Sequence, residues 1–591
     1  MSDRVALLSL HSHGDRSFLD DRVLALVAGD LRSDGVAADL IRAGLDGEAP
    51  DVRELAASLE GYDVVVYERV WSPALMQSLR AEVPATFVSC EGEHRLEEPP
   101  ADYVCAGDLR ATVPALVAHL SDGGPLPRRV RARTDDGWRE GLGAAHTHTA
   151  FAPVLQPIVV GRGVTAERRT FSIEGNAGCP YGSDARDNPA YEGVVIPEGL
   201  GRGCAFCTTG NRSESAPATE TAHKVMTQLR YLRREAPALT TLVLKDQNPF
   251  GWLTEVVERC ASEGLGGFSL LLETRADWFM RNRVRFDRAL AIADDADITL
   301  CPFLVGIENF SQPELDRYNK GTTAAANEAF LEALLAWDAA HAALDLSHAA
   351  FGFVLLSPWT RMSDLRANLE AVERTGFHQL RGHLLVSKAR LYPDTALYYL
   401  AERDGLLRSA HARESADNAR RYGYFPEQPW RFVDPTVARF AELAAELTAR
   451  RGGHDELATW RALLDSFEAA EHAEPTLEDI ARRVRGRPDP SDLRRRFATL
   501  VRPLALDASF AAGWRFGSLT RREGGIDVRL EHVNESPFDL HIVLRRREPG
   551  ARSPAFARSR HYALRHSSAT LTPAQTRGLR AVCAAIVDND R

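Results

Sequence analysis

Short apolar runs alternate with helix-length stretches twice along this chain, and that rhythm restricts its fold more than any other feature. Before residue 120 the runs are VALLSL, VAADLI, YDVVVY, ATFVSC and ADYVCAG, separated by stretches such as FLDDRVLALVAGDLRSDG and SPALMQSLRAEV. Strands joined by helices of this length pair in parallel, with helices covering both faces of the sheet. A second series follows, with strand candidates EGVVIP, TTLVLKD, FSLLLET, ITLCPFLVGIE, AAFGFVLL and GHLLVS. Six parallel strands with helices outside predict a partial β/α barrel, which places its chemistry at the carboxyl ends of its strands. The expected fold class is α/β. An N-terminal doubly wound parallel sheet (1–120) is followed by a Gly-, Pro- and Arg-rich linker (121–150) and a partial β/α barrel (151–400). A helical extension (401–475) and an Arg-rich α+β C-terminal domain (476–591) complete the chain. In that last part IDVRLEHV and FDLHIVLRR read as strands and TPAQTRGLRAVCAAIV as a final helix.

Several domains are expected, because 591 residues exceed what one core organises. The start, MSDRVALLSLHSHGD, lacks the basic-then-apolar pattern of a signal peptide, and no apolar run approaches membrane-spanning length. A cytoplasmic location with no membrane partner is expected. The net charge of −10 argues against broad nucleic-acid binding. That charge is uneven: residues 481–591 carry 22 Arg against 11 Asp and Glu. This is either a solvated Arg-rich face or a site for a phosphate-bearing substrate or an acidic partner.

Eight cysteines in so long a chain do not make a disulfide framework. In a reducing compartment a cysteine cluster points to metal binding or catalysis. Cys204 and Cys207 form a C-x-x-C pair in GLGRGCAFCTTGN. A zinc ribbon needs a second such pair, and the sequence has none. A thioredoxin-like redox pair would open a helix in a different sheet order. The glycine-rich approach instead suits backbone that comes close to a bound object.

On these residues the chain resembles the radical S-adenosylmethionine enzymes, which hold a 4Fe–4S cluster on three cysteines after the first barrel strand. The resemblance implies S-adenosylmethionine bound at the cluster, and Phe206, just before the last cysteine, packed near its adenine. The family's usual spacing is C-x-x-x-C-x-x-C, and this sequence departs from it. The resemblance therefore implies a third ligand from elsewhere, and Cys179 in GNAGCPYG is favoured, giving Cys179, Cys204 and Cys207 as the metal ligands. Cys179 precedes EGVVIP rather than following it.

Four further stretches carry the resemblance across residues 170–430. LVLKDQNPFG is similar to the second-strand motif of the branch with a cobalamin domain, which implies that Asp246 and Asn248 face the methionine amino group. LLETRADWF resembles the third-strand motif, implying Arg275 for the methionine carboxylate. VGIENFSQPELDRYNKGTT resembles the fourth-strand exit, with Glu308 at its end, and FVLLSPWTRMSDLRANL the fifth. Without a family role, Asp246 would cap a helix, Glu308 would pair with an Arg, and Lys320 would cover a helix end.

The first domain resembles the cobalamin-binding domain that precedes many of these barrels. Glu91-Gly92 stands where the family often has paired glycines, and Glu is bulky and anionic against a corrin. Bound cobalamin and an emptied structural domain both remain open. Cys90 and Cys105 end two strands of this sheet and are expected on the face that addresses the barrel. They are either small apolar residues or ligands of an auxiliary iron–sulfur cluster, which would displace cobalamin. Cys260, Cys301 and Cys583 read as packing residues.

The implied activity is generation of a 5′-deoxyadenosyl radical that abstracts hydrogen from a small specialised metabolite. With cobalamin the outcome would be C-methylation; without it, sulfur insertion, epimerisation or rearrangement. An electron donor such as flavodoxin or ferredoxin is implied as a partner. The non-enzyme alternative is a metal-binding protein that has lost catalysis.

Overall fold

Five strands open the chain: β1 (Arg4–Ser12), β2 (Ala37–Leu45), β3 (Val64–Glu68), β4 (Thr86–Glu91) and β5 (Tyr103–Ala106). In the computed structural model they pair in parallel in the order β2-β1-β3-β4-β5. The structure describes residues 4–480 except 13–20, 46–51, 69–72, 92–98, 146–147, 162–169, 212, 215, 347–348, 382, 409–426, 451–455, 470–475 and 478–479. It also describes the backbone of 514–522, 525–532 and 539–545. Alternation along β1 serves two cores. Val5 and Leu7 join the cluster that holds Leu24 and Leu109 of the helices Arg22–Ser33 and Leu109–Asp122. Ala6 and Leu8 join the cluster that holds Leu55 and Met76 of the helices Val52–Ser58 and Pro73–Glu82. This is the doubly wound sheet expected, with its winding reversing between β1 and β3, where such sheets bind ligands.

Residues 121–150, expected as a linker, instead extend this sheet. β6 (Val130–Thr134) pairs antiparallel with β5, and β7 (Gly137–Glu140) with β6. The run RVRART looks polar, but Val130 and Ala132 point into the core. Arg131 and Arg133 on the other face lie 5.4 and 4.8 Å from the Trp138 ring. β8 (Ile158–Val160) closes the opposite edge beside β2.

The barrel begins at β9 (Thr170–Glu174), not at EGVVIP. The EGVVIP run follows a 3₁₀ turn, Pro189–Tyr191, and stays irregular. Gly193 takes φ of 75°, Val195 faces solvent, and Ile196, with half-buried Val194 beside it, reaches a core against Ala185 and Tyr191. β10 (Ala177–Gly178) and β11 (Ser213–Glu214) form a two-residue antiparallel ribbon that draws the ends of the intervening loop together. β12 (Thr241–Lys245), β13 (Phe268–Arg275), β14 (Ile298–Glu308) and β15 (Phe351–Phe353) then continue in the parallel order β9-β12-β13-β14-β15. Leu242, Leu244, Leu270 and Leu272 pack in the main core with the surrounding helices. Val243, Leu271, Cys301 and Phe303 alternate with them and form a separate apolar cluster. GHLLVS, expected as a sixth strand, is not one. That segment meets the end of the sheet through the bridge Leu356–Lys388, where Ala389 N donates to Leu356 O at 2.7 Å, and through Ser387, whose Oγ donates to Phe353 O.

Beyond the barrel, the helices Pro435–Arg450 and Glu456–Glu468 fall in the expected helical extension. β16 (Trp514–Arg522), β17 (Gly525–His532) and β18 (Asp539–Arg545) form an antiparallel sheet. Two of these strands are as expected; WRFGSLTRR is an addition. The expected final helix and Cys583 lie outside the described residues. Among the described residues, no helix is long and apolar enough to cross a membrane.

Candidate functional site

The loop that leaves β9 carries Cys179, Cys204 and Cys207 together. Because TFSIE is the first barrel strand, Cys179 follows that strand rather than preceding it. All three thiols therefore belong to one strand-end loop, bracketed by the β10–β11 ribbon. Within it Cys179 N donates to Thr209 O at 3.2 Å and Cys207 N to Cys204 O at 3.0 Å. Gly203 adopts φ of 93° and packs directly on the backbone of Gly210, where a side chain at either position would intrude. Gly203 N donates to Ser183 O, and Ala205 N to Tyr318 O, each at 2.8 Å.

The three sulfurs lie within reach of one another's charge. Burial pushes the Cys179 thiol up to about 11, and the charges of Cys204 and Cys207 add to the effect. Burial, then Cys204, also raises Cys207. Among the described residues no group of three His, Cys, Asp or Glu side chains is placed to hold a single metal ion. A cluster attaches each thiolate to a different iron, so its ligands stand further apart than those around one ion. Three soft sulfur donors on one loop are the donor set that iron–sulfur clusters use.

Arg275 ends β13 just past a shift in strand register and is 4% exposed. Its Nη1 donates to Cys204 Sγ at 3.3 Å, its Nε to Asp277 Oδ1 at 2.9 Å, and its Nη2 to Lys320 O. The guanidinium lies 4.0 Å from the Tyr181 ring. Glu308 ends β14 at another register shift, with φ of 64°. It accepts from Lys320 Nζ at 2.9 Å, and both residues are buried. Burial alone would lower the Lys320 ammonium, but Glu308 and Cys204 outweigh it and hold its pKa above the ordinary value. The same ammonium lies 5.9 Å from the Phe206 ring, which meets Tyr318 edge-on at 5.6 Å.

Asp246 is 2% exposed and looks inward. Its Oδ2 accepts from Asn176 N at 2.8 Å, Asn176 Nδ2 at 3.2 Å and Trp252 Nε1 at 3.2 Å, and its Oδ1 from Asn248 N at 2.8 Å. Burial raises this carboxyl despite those four donors. Asp246 thus ties the start of the cysteine loop to the end of β12. Asn248 Oδ1, by contrast, is buried with no hydrogen-bond partner, an acceptor that a buried ammonium could satisfy.

Three residues of this site go beyond what sequence reasoning finds. Lys320 is not a helix-end cover; it is the buried partner of Glu308. Tyr181 stacks on Arg275. Asn319, with φ of 49°, donates from Nδ2 to Gly203 O at 2.8 Å and Ser183 O at 3.2 Å, clamping the cysteine loop to the exit of β14. The available signal is Asn-Lys-Gly, since Asn and Gly are the residues that best tolerate positive φ. Asn319→Gly keeps that backbone freedom and removes both bonds, leaving two loop carbonyls without this donor. We expect a loss of about 1–3 kcal/mol in denaturant titration.

Cys90 and Cys105 face each other in register at the ends of β4 and β5. Both are buried in the core that holds Val113 and Leu116 of helix Leu109–Asp122, not on an open face toward the barrel. Burial pushes Cys105 up to about 12 and Cys90 well above its ordinary value, so both are neutral thiols near pH 7. Cys260 and Cys301 are likewise buried.

No family model matches the chain, and no curated protein matches it. Solved structures do. The chain is similar to the cobalamin-dependent S-adenosylmethionine radical enzyme OxsB with aqua-cobalamin and S-adenosylmethionine bound. That match has TM-score 0.53 and 12% identity, covering 86% of this chain and 73% of the other. The form with aqua-cobalamin alone also matches at TM-score 0.53 and 12% identity, covering 86% and 74%. The apo, selenomethionine-labelled form matches at TM-score 0.53 and 13% identity over the same shares. At this identity the likeness establishes the fold.

Proposed function

We propose that this chain is a radical S-adenosylmethionine enzyme acting on a small specialised metabolite. The observation that carries the reading is the convergence of Cys179, Cys204 and Cys207 on the loop after the first barrel strand, with a buried arginine on the Cys204 sulfur. In this reading those thiolates would hold a 4Fe–4S cluster. When bound, the cluster and S-adenosylmethionine supply reductive cleavage and a radical that takes hydrogen from an unactivated carbon. The protein supplies position and a dry site. Gly203 and Gly210 let the cysteine loop fold back tightly on itself. Phe206, fixed by Tyr318, offers a flat apolar face for adenine. Asn248 Oδ1 offers an unpaired acceptor for the methionine ammonium. Asp246 keeps the loop and the end of β12 in register rather than touching the cofactor. An external one-electron donor such as a flavodoxin or ferredoxin completes the requirement.

The β2-β1-β3-β4-β5 sheet supports cobalamin in the first domain, because OxsB binds aqua-cobalamin and shares this fold. We take cobalamin-dependent C-methylation as the leading outcome. Sulfur insertion, epimerisation or rearrangement is the second reading, and it needs an auxiliary cluster or none. Cys90 and Cys105 are packed among apolar side chains in the closed core under helix Leu109–Asp122, which opposes an auxiliary cluster there. Replacing both with alanine should leave iron per chain unchanged, with cobalt near one per chain after reconstitution with cobalamin; halved iron would assign them to a second cluster. The core reading is tested by electron paramagnetic resonance of the reduced, reconstituted protein. S-adenosylmethionine should change the cluster signal, and an unchanged signal would count against its binding there.

A further inference from the structure

Arg275, which the sequence resemblance implies for the methionine carboxylate, is already engaged by the protein through all three of its nitrogens. Its Nε, Nη1 and Nη2 each donate to a protein group: Asp277 Oδ1, Cys204 Sγ and Lys320 O. Its flat face is taken by Tyr181 at 4.0 Å, with Trp278 at 5.4 Å. It is 4% exposed, and its charge is balanced by Asp277 within the same buried pocket. A planar fork spreads its donors over three nitrogens, so it can meet three separated groups and stack on an aromatic face at once; an ammonium holds all its donors on one atom. The direction of the fork is therefore set by the protein, and one prong ends on a sulfur.

We propose that Arg275 is a positioning residue for the cluster, holding the Cys204 sulfur through a charge-assisted hydrogen bond that makes the cluster easier to reduce. This rests on the reading of Cys204 as a cluster ligand. The physical basis is general. A donor on a ligating sulfur withdraws electron density from the iron and favours the reduced state, which carries one more negative charge. Low local dielectric strengthens the effect, and here donor and sulfur meet in a largely buried pocket. The arrangement also explains the acidic partner. Asp277 holds the guanidinium at Nε and keeps it from turning to another acceptor.

The test is the midpoint potential of the reconstituted cluster without S-adenosylmethionine, read by spectroscopic redox titration for wild type, Arg275→Gln and Arg275→Lys. Iron content is measured alongside. Arg275→Gln should load iron and shift to a more negative potential, and Arg275→Lys should shift the same way by less. An unchanged potential in Arg275→Gln, with only weaker S-adenosylmethionine binding, overturns the proposal and restores the carboxylate role. If Arg275→Gln fails to take up iron, Arg275→Lys decides by the same criterion: a negative shift supports the proposal and no shift overturns it. A wild-type protein that takes up no iron would instead overturn the reading of the site itself, which keeps the two failures apart.

Discussion

Cys204→Ala is expected to abolish both iron retention and cleavage of S-adenosylmethionine, and Cys179→Ala and Cys207→Ala to do the same. Thiolates hold iron–sulfur clusters, and alanine offers no donor atom. The three thiols sit on one strand-end loop, Cys204 to Cys207 tied by a backbone hydrogen bond and Cys179 held to the same loop through Thr209, so no single position is a bystander. Losses should exceed a hundredfold in 5′-deoxyadenosine formed, against a fold that remains intact by circular dichroism. Cys179→Ala is the most informative of the three, because its place in the chain departs from the family spacing. If it kept a full cluster and normal turnover, the ligand set would be wrong. Cys260→Ala, on a buried helix position, serves as the control and should keep iron.

Glu308→Ala should be among the most destabilising substitutions in the barrel. It leaves the Lys320 ammonium, 3% exposed, without the carboxylate that sits 2.9 Å away. Breaking one side of a buried pair costs about 3–5 kcal/mol. The surroundings cannot easily adapt: a side chain at Gly306 or Gly352 would collide with the Glu308 carboxylate, so that cavity is sized to the pair. Lys320→Met should be costly for the same reason. The double variant Glu308→Ala with Lys320→Met removes both charges and should recover a large part of the loss, giving a strongly non-additive cycle in denaturant titration. Additive losses would show that the pair is not coupled. Weakened S-adenosylmethionine binding should accompany every member of the series, because Lys320 also addresses Phe206 and the cysteine loop.

Much of this architecture is legible in the amino-acid sequence, and the exceptions have physical causes. The alternating runs of the first sheet are plain because each strand is apolar on both faces, as parallel strands between two helix layers must be. TFSIE gives a weak signal because β9 is an edge strand whose apolar content is only Phe171 and Ile173. EGVVIP mimics a strand because a short apolar run carries no information about whether it has a partner. That one exchange reverses the order of Cys179 and the first strand, and puts Cys179 on the same strand-end loop as Cys204 and Cys207. RVRART reads as linker because its three arginines hide the alternation by which Val130 and Ala132 enter the core. At the site, single residues are legible but their partners are not. Asp246 and Arg275 stand out by type and spacing. Only packing shows that Asp246 gathers four donors from neighbouring segments and that Arg275 ends on sulfur. Positive φ at Glu308 and Asn319 follows from bulges and a turn that no periodicity announces.

The most direct test of the central claim is one anaerobic measurement on the full chain. The protein is reconstituted with iron and sulfide, freed of excess, and mixed with S-adenosylmethionine and a strong reductant. The account predicts about four irons per chain bound by the strand-end loop, and 5′-deoxyadenosine formed in a reaction that needs both reductant and cluster. A protein that binds zinc alone, or that holds iron yet yields no 5′-deoxyadenosine, would contradict it.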